Sequence, residues 1–130
     1  MGIRVSKIDE ARILLENLKS KVSDVNDLAI TRTNGLIIYS LKNSIDAEDA
    51  KSERLLAGMA SALFSISKRA ATELLKGSFR SLNIEIDTGT IYMIYTGKVI
   101  LIALTKKNPN LGLLSLEIEE TAEKLNKIFA

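Results

Sequence analysis

One stretch of this chain constrains its fold more than any other. From about Ala50 to Lys76, apolar residues recur at helical spacing but cover too much of the circumference for a single contact. At about 100° per residue with Leu55 at zero, the residues Ala62, Leu55, Ile66, Met59, Ala70, Leu63, Leu56, Leu74, Ala60, Ala71, Phe64, Ala57 and Leu75 sweep roughly 220°. An ordinary surface helix presents an apolar stripe of roughly 100°. Ser67 and Glu73 are the only polar intrusions, and Gly58, Ser61, Ser65, Lys68, Arg69 and Thr72 fill the remaining sector. One sheet cannot cover so wide an arc. The flank is covered either by other parts of the same chain or by a second copy, with two such helices side by side about a two-fold axis. Closed two-fold dimers are the commonest soluble oligomers, and the many alanines permit close approach. The dimer reading places Leu55, Met59, Ala62, Leu63, Ile66 and Ala70 at the interface. Gly58 costs the helix about 1 kcal/mol relative to alanine, which hints at a close backbone approach unless it is merely tolerated.

The flanking elements follow from simpler patterns. Ile8, Ala11, Leu14, Leu15, Leu18 and Val22 step by three and four, the stripe of an amphipathic helix from Ser6 to about Lys21. Leu28 and Ile30 alternate with polar or small neighbours as in a half-buried strand, and Leu36–Tyr39 forms a second strand. Thr33-Asn34-Gly35 between them is a hairpin signal, since Asn and Gly both tolerate positive φ. A long polar connection from Lys42 to Asp49 offers Ser44 or Asp46 as a cap for the middle helix, with Glu48 and Asp49 in its first turn; Gly77 marks its end. Leu82, Ile84 and Ile86 alternate as on an edge strand, and edges need cover or pairing, so Leu82 and Ile84 join the expected dimer contact. Ile91–Tyr95 and Val99–Leu104 are continuous apolar runs, which require cover on both faces. The last helix carries Leu111, Leu114, Ile118, Ala122, Leu125 and Phe129 on one face, with Glu117, Glu119, Glu120 and Glu123 facing water.

The order is helix, two strands, helix, three strands, helix, with short turns inside each strand group. That implies one α/β (α+β) domain over residues 1–130, a three-layer sandwich around an antiparallel five-stranded sheet.

Composition narrows the chemistry. The 130 residues include no Cys, His or Trp, which rules out disulfides, thiolate nucleophiles, histidine triads and Cys/His zinc sites. No metal site and no cofactor are expected. The 18 basic and 16 acidic residues are well mixed, and only three Phe and three Tyr are available for stacking, a weak footprint for a nucleic-acid binder. No apolar run approaches the roughly 20 residues of a membrane helix, and charges at Lys7, Asp9, Glu10 and Arg12 interrupt any signal segment. A cytoplasmic location is expected.

Short motifs carry little. Thr96-Gly97-Lys98 lacks the rest of a phosphate loop and reads as a hairpin turn, as does Asp87-Thr88-Gly89 despite its likeness to the aspartic-protease triplet. Met1-Gly2 with Ser6 matches the degenerate myristoylation pattern, which an ordinary chain start also satisfies.

The elements in this order resemble the Roadblock/dynein light chain family, which includes partners of small Ras-like GTPases. The resemblance covers about Leu28 to Phe129. It is carried by Thr33-Asn34-Gly35-Leu36-Ile37-Ile38, the alanine-rich helix Ala50–Leu75, Gly97–Leu104, and Asn110-Leu111-Gly112. It implies a profilin/longin-like Roadblock architecture and a homodimer, or a heterodimer with a paralogous Roadblock subunit, whose middle helices lie side by side. In GTPase-binding relatives the paired helices receive the GTPase, and by position Ser61, Ser65, Lys68, Arg69 and Thr72 would line that platform. A scaffold without an active site of its own is the function this implies. Some relatives stimulate GTP hydrolysis, but a helix-borne Arg69 is more simply a surface charge than an arginine finger. The alternative is a small-ligand sensor, with Tyr92 and Tyr95 as the first residues to suspect.

Overall fold

A computed structural model describes residues 6–42 and 49–129. The elements come in the expected order: α1 (Lys7–Lys21), β1 (Val25–Thr31), β2 (Ile37–Leu41), α2 (Asp49–Leu75), β3 (Ser81–Ile86), β4 (Gly89–Tyr95), β5 (Ile100–Thr105) and α3 (Leu111–Ile128). The strands form one antiparallel sheet in the order β2-β1-β5-β4-β3. The two hairpin groups therefore join through β1 and β5, and β3 lies at one edge as its alternation predicts.

Helices cover both faces. α1 and α3 pack together on one side, where Leu15 and Leu18 meet Leu28, Ile30 and Leu101 of the sheet and Leu114, Ile118 and Leu125 of α3. α2 lies on the other side, where Ala60 and Phe64 meet Ala29, Met93, Ile100 and Ile102. β4 and β5 are buried on both faces, as their unbroken apolar runs require. β1 departs from the half-buried strand that its alternation predicts. Leu28 and Ile30 face α1 and α3, while Ala29 and Thr31 are also buried because β1 is an interior strand.

Local chemistry fixes the element ends. Ser6 caps α1, its hydroxyl accepting the Asp9 N–H at 3.1 Å, which gives that serine a structural role. Asn110 caps α3 in the same way through the Leu113 N–H. Gly35 takes φ +91° at the β1–β2 turn, with the Asn34 side chain accepting the Leu36 N–H at 3.2 Å. Thr96-Gly97-Lys98 is a hairpin turn: Gly97 has φ +105° and the Thr96 hydroxyl accepts the N–H groups of Lys98 and Val99. Asp87-Thr88 likewise joins β3 to β4. At the C-terminus of α2 the left-handed residue is Lys76, with φ +56°, rather than glycine. Gly77 follows it and donates its N–H to the Ala71 carbonyl at 3.0 Å. On α3, Glu117 does not face water freely; it is half-buried and lies 3.8 Å from Lys21 of α1. Ser44, Asp46 and Glu48, and with them the proposed cap of α2, lie outside the described residues, as do Met1 and Gly2.

Candidate interaction surface on the middle helix

α2 has two apolar faces, and the sheet takes only one. Ala57, Ala60 and Phe64 are buried against the strands, with Leu56 and Leu63 partly buried beside them. On the opposite side Leu55 is 63% exposed, Met59 55% and Ile66 66%. These positions fall within roughly 40° of one another on the helical wheel and roughly 120–180° from Ala57, Ala60 and Phe64. Ala62 sits among them and is exposed, so Leu55, Met59, Ala62 and Ile66 form one seam with spacings of four, three and four. That spacing is the one two helices use to interlock side chains. Exposed Ala70 continues the seam towards Leu74 and Leu75, which are almost wholly exposed.

The seam runs into a second uncovered area. Leu82 and Ile84 alternate with exposed Ser81, Asn83 and Glu85, and they pair with Met93 and Ile91 of β4. Met93 is in the core beneath α2, so this side of β3 shares the face of the sheet that carries α2. Leu82, Ile84 and Ile91 are only half-buried there. Of the eight expected dimer-contact residues, Leu55, Met59, Ala62, Ile66 and Ala70 are thus exposed, and Leu82 and Ile84 are half-open at the sheet edge. Leu63 differs: it packs partly into the chain's own core.

The five expected platform residues lie on the flank of α2 next to the seam. Ser65, Lys68, Arg69 and Thr72 are exposed. Arg69 lies 3.5 Å from Glu73, an exposed (i, i+4) pair, and the Lys68 ammonium stands 5.8 Å from the Phe64 ring centroid. Ser61 is partly buried and donates its hydroxyl to the Thr33 carbonyl at 2.6 Å, holding the β1–β2 turn against the helix. Gly35 sits beside that contact with a φ of +91°, which favours glycine, and an added Cβ would meet the Ala57 carbonyl oxygen and the Ser61 Cβ at 3.5 Å, an ordinary van der Waals distance. A Cβ on Gly58 would meet nothing within 4 Å.

The tyrosines suspected of ligand contact are packing residues. Tyr92 is buried on the α1–α3 side, and Tyr95 stacks on Phe64 at 4.7 Å while its hydroxyl donates to the Gly97 carbonyl. Among the described residues no group of three or more acidic, His or Cys side chains could hold a metal, and no helix is long and apolar enough to cross a membrane.

Fold and surface together define a class: three-layer α/β domains with a five-stranded antiparallel sheet, one covering helix of which is apolar on its outer side. The chain belongs to the Roadblock/LC7 domain family, whose model matches residues 11–106. An uncharacterised protein of Methanocaldococcus jannaschii is 34% identical over 119 residues, covering 91% of this chain and 97% of that protein. The solved structure of Myxococcus xanthus MglB is similar at a TM-score of 0.82 and 20% identity, covering 92% of this chain and 94% of that one. Acanthamoeba castellanii profilin IB, at a TM-score of 0.57 and 14% identity over 81% of this chain and 87% of that one, shares the profilin-like layering.

Proposed function

We propose that this protein is a non-catalytic dimeric scaffold that binds, and through binding regulates, a small Ras-like GTPase. The observation that carries the reading is the exposed seam Leu55-Met59-Ala62-Ile66 on a helix whose other face is already buried. Burying a side chain of this size is worth about 1.5–3 kcal/mol, so the seam is a strong drive to association. A second copy satisfies it most simply. The two α2 helices lie antiparallel about the axis, with Leu82 and Ile84 closing the contact from the sheet edge. A paralogous Roadblock subunit would fit by the same geometry. Membership of the Roadblock/LC7 family and the likeness to MglB support the regulatory role.

In such a dimer Ser65, Lys68, Arg69 and Thr72 of both chains line one continuous face beside the seam, which is where the GTPase docks. Ser61 contributes by fixing the turn that borders this face, since its hydroxyl is engaged by Thr33. The test is solution mass by light scattering, with Met59 and Ile66 both changed to aspartate. Leu63 is left alone because it packs partly within the chain's own core. A wild-type dimer and a folded, monomeric variant are expected; a monomeric wild type sinks the reading. For the platform, Lys68→Glu with Arg69→Glu should weaken binding of a Ras-like GTPase loaded with a non-hydrolysable GTP analogue, with the dimer intact. Unchanged affinity removes this flank from the proposal.

A further inference from the structure

Beneath the first turns of α2 the helix and the sheet do not close on each other, and a cavity of about 250 Å³ lies between them. The cause is a pair of small residues on facing elements. Ala29 of β1 and Ala57 of α2 both line the space, where larger side chains would fill it, and Leu56, Ile102 and Leu104 give it apolar walls. A cavity of about 150 Å³ accepts benzene, so this one has room for a ligand of up to about ten non-hydrogen atoms.

One polar group lies inside. The alternation that turns Leu28 and Ile30 towards α1 and α3 turns Ala29 and Thr31 towards α2, and Thr31 lines the cavity. Thr31 is fully buried, yet its hydroxyl has no hydrogen-bond partner among the described residues. Leaving such a hydroxyl unpaired costs about 1–3 kcal/mol, and valine has the same shape without that cost. Apolar walls with a single placed polar group are the usual make-up of a small-molecule site. The charged residues lining the cavity are taken up with contacts of their own. One carboxylate oxygen of Glu53 accepts the Ser40 hydroxyl at 2.6 Å and lies 3.8 Å from the Lys42 ammonium, and Asp27 has a partner as well. A charged ligand would compete with these contacts. An uncharged one meets only the apolar walls and the open hydroxyl.

We infer that this cavity is a binding site for a small uncharged alcohol, aliphatic or alicyclic, whose hydroxyl pairs with that of Thr31. A hydroxyl both donates and accepts, so it satisfies the threonine in either sense, whereas a ketone or an ether could only accept. The carbon skeleton fills the space between Leu56, Ile102 and Leu104. The site is formed within one chain, so it stands or falls separately from the dimer.

The experiment is a ¹⁵N-resolved NMR titration of the full chain with cyclohexanol. Methylcyclohexane and cyclohexylamine, which is protonated at neutral pH, are controls of the same size. Saturable shifts are expected at the amides of Ala29, Thr31, Ser40 and Ala57, with cyclohexanol bound more tightly than cyclohexylamine. Thr31→Val should weaken cyclohexanol relative to methylcyclohexane by at least about fivefold, the low end of the cost of an unpaired buried hydroxyl. Ala57→Leu, which puts a side chain into the space, should abolish the shifts. Absence of saturable shifts with cyclohexanol, equal or tighter binding of cyclohexylamine, or a cyclohexanol preference unmoved by Thr31→Val overturns the assignment. So does a folded Ala57→Leu variant that still binds, because the ligand would then sit elsewhere.

Discussion

Asp24 shows how much a single side chain in a turn can hold. One carboxylate oxygen accepts the Asn110 backbone N–H at 2.7 Å, and the other lies 3.1 Å from the Lys106 ammonium, so the α1–β1 turn is tied to the loop before α3. The Asn110 hydrogen bond first, and then Lys106, hold its pKa below the ordinary 3.8. A carboxylate with a depressed folded pKa contributes stability that is complete above the unfolded value and is lost as pH falls through the folded one. Asp24→Asn should therefore melt below wild type at pH 7, and the two curves should converge as the pH drops well below 3.8. A constant gap at all pH values would show that the charge contributes nothing. Gly89 is constrained by space rather than charge: a Cβ there would collide with the backbone carbonyl oxygen of Thr105 on the neighbouring strand. Since backbone cannot step aside as a side chain can, Gly89→Ala should cost about 1–3 kcal/mol in denaturant unfolding. A loss below about 0.5 kcal/mol, the range of ordinary surface changes, would mean that β4 and β5 can separate locally.

At the scale of elements, legibility followed whether the cause was local. The Ser6 cap, the Asn34-Gly35 turn and the stripes of α1 and α3 depend on residues within a few positions of one another, and each is readable directly. The two-sided character of α2 was readable too, because amphipathicity is a property of one helix. What depends on distant partners was not. The full burial of β1 follows from its place between β2 and β5, and the pairing of Glu117 with Lys21 follows from α1 lying along α3. The cavity at Thr31 needs side chains from β1, β2, β5 and α2 at once, so no pattern along the chain announces it. The end of α2 is a middle case: glycine at 77 marked the place, but Lys76 takes the left-handed conformation. A non-glycine residue pays about 1 kcal/mol for that backbone. Lys76→Gly should recover most of it, read as a higher denaturation midpoint with unchanged slope. A lower midpoint would mean that the Lys76 side chain supplies more than its backbone costs.

For the whole molecule the deciding matter is what covers the edges of the layers. β2, at one end of the sheet, is half-buried along its whole length, in contact with both α1 and α2. β3, at the other end, has neither proline nor lysine to discourage pairing, and three of its residues carry apolar side chains towards the face that bears α2. The exposed seam of α2 lies on the same face. A chain that protects one edge and leaves the other bare beside an apolar helix has the asymmetry a two-fold contact removes, since one operation buries both features in both copies. Such a contact makes folding and association one equilibrium. Each tenfold rise in chain concentration then adds about 1.4 kcal/mol per mole of dimer, and the melting temperature climbs with concentration. Met59→Asp with Ile66→Asp should abolish that climb and lower the melting temperature most at high concentration, where the dimer is fullest. A wild-type melting temperature that stays constant over a hundredfold range of concentration would mean that seam and edge remain open in the free protein. The dimeric-scaffold reading would then fall, as it would with a monomeric wild type in solution.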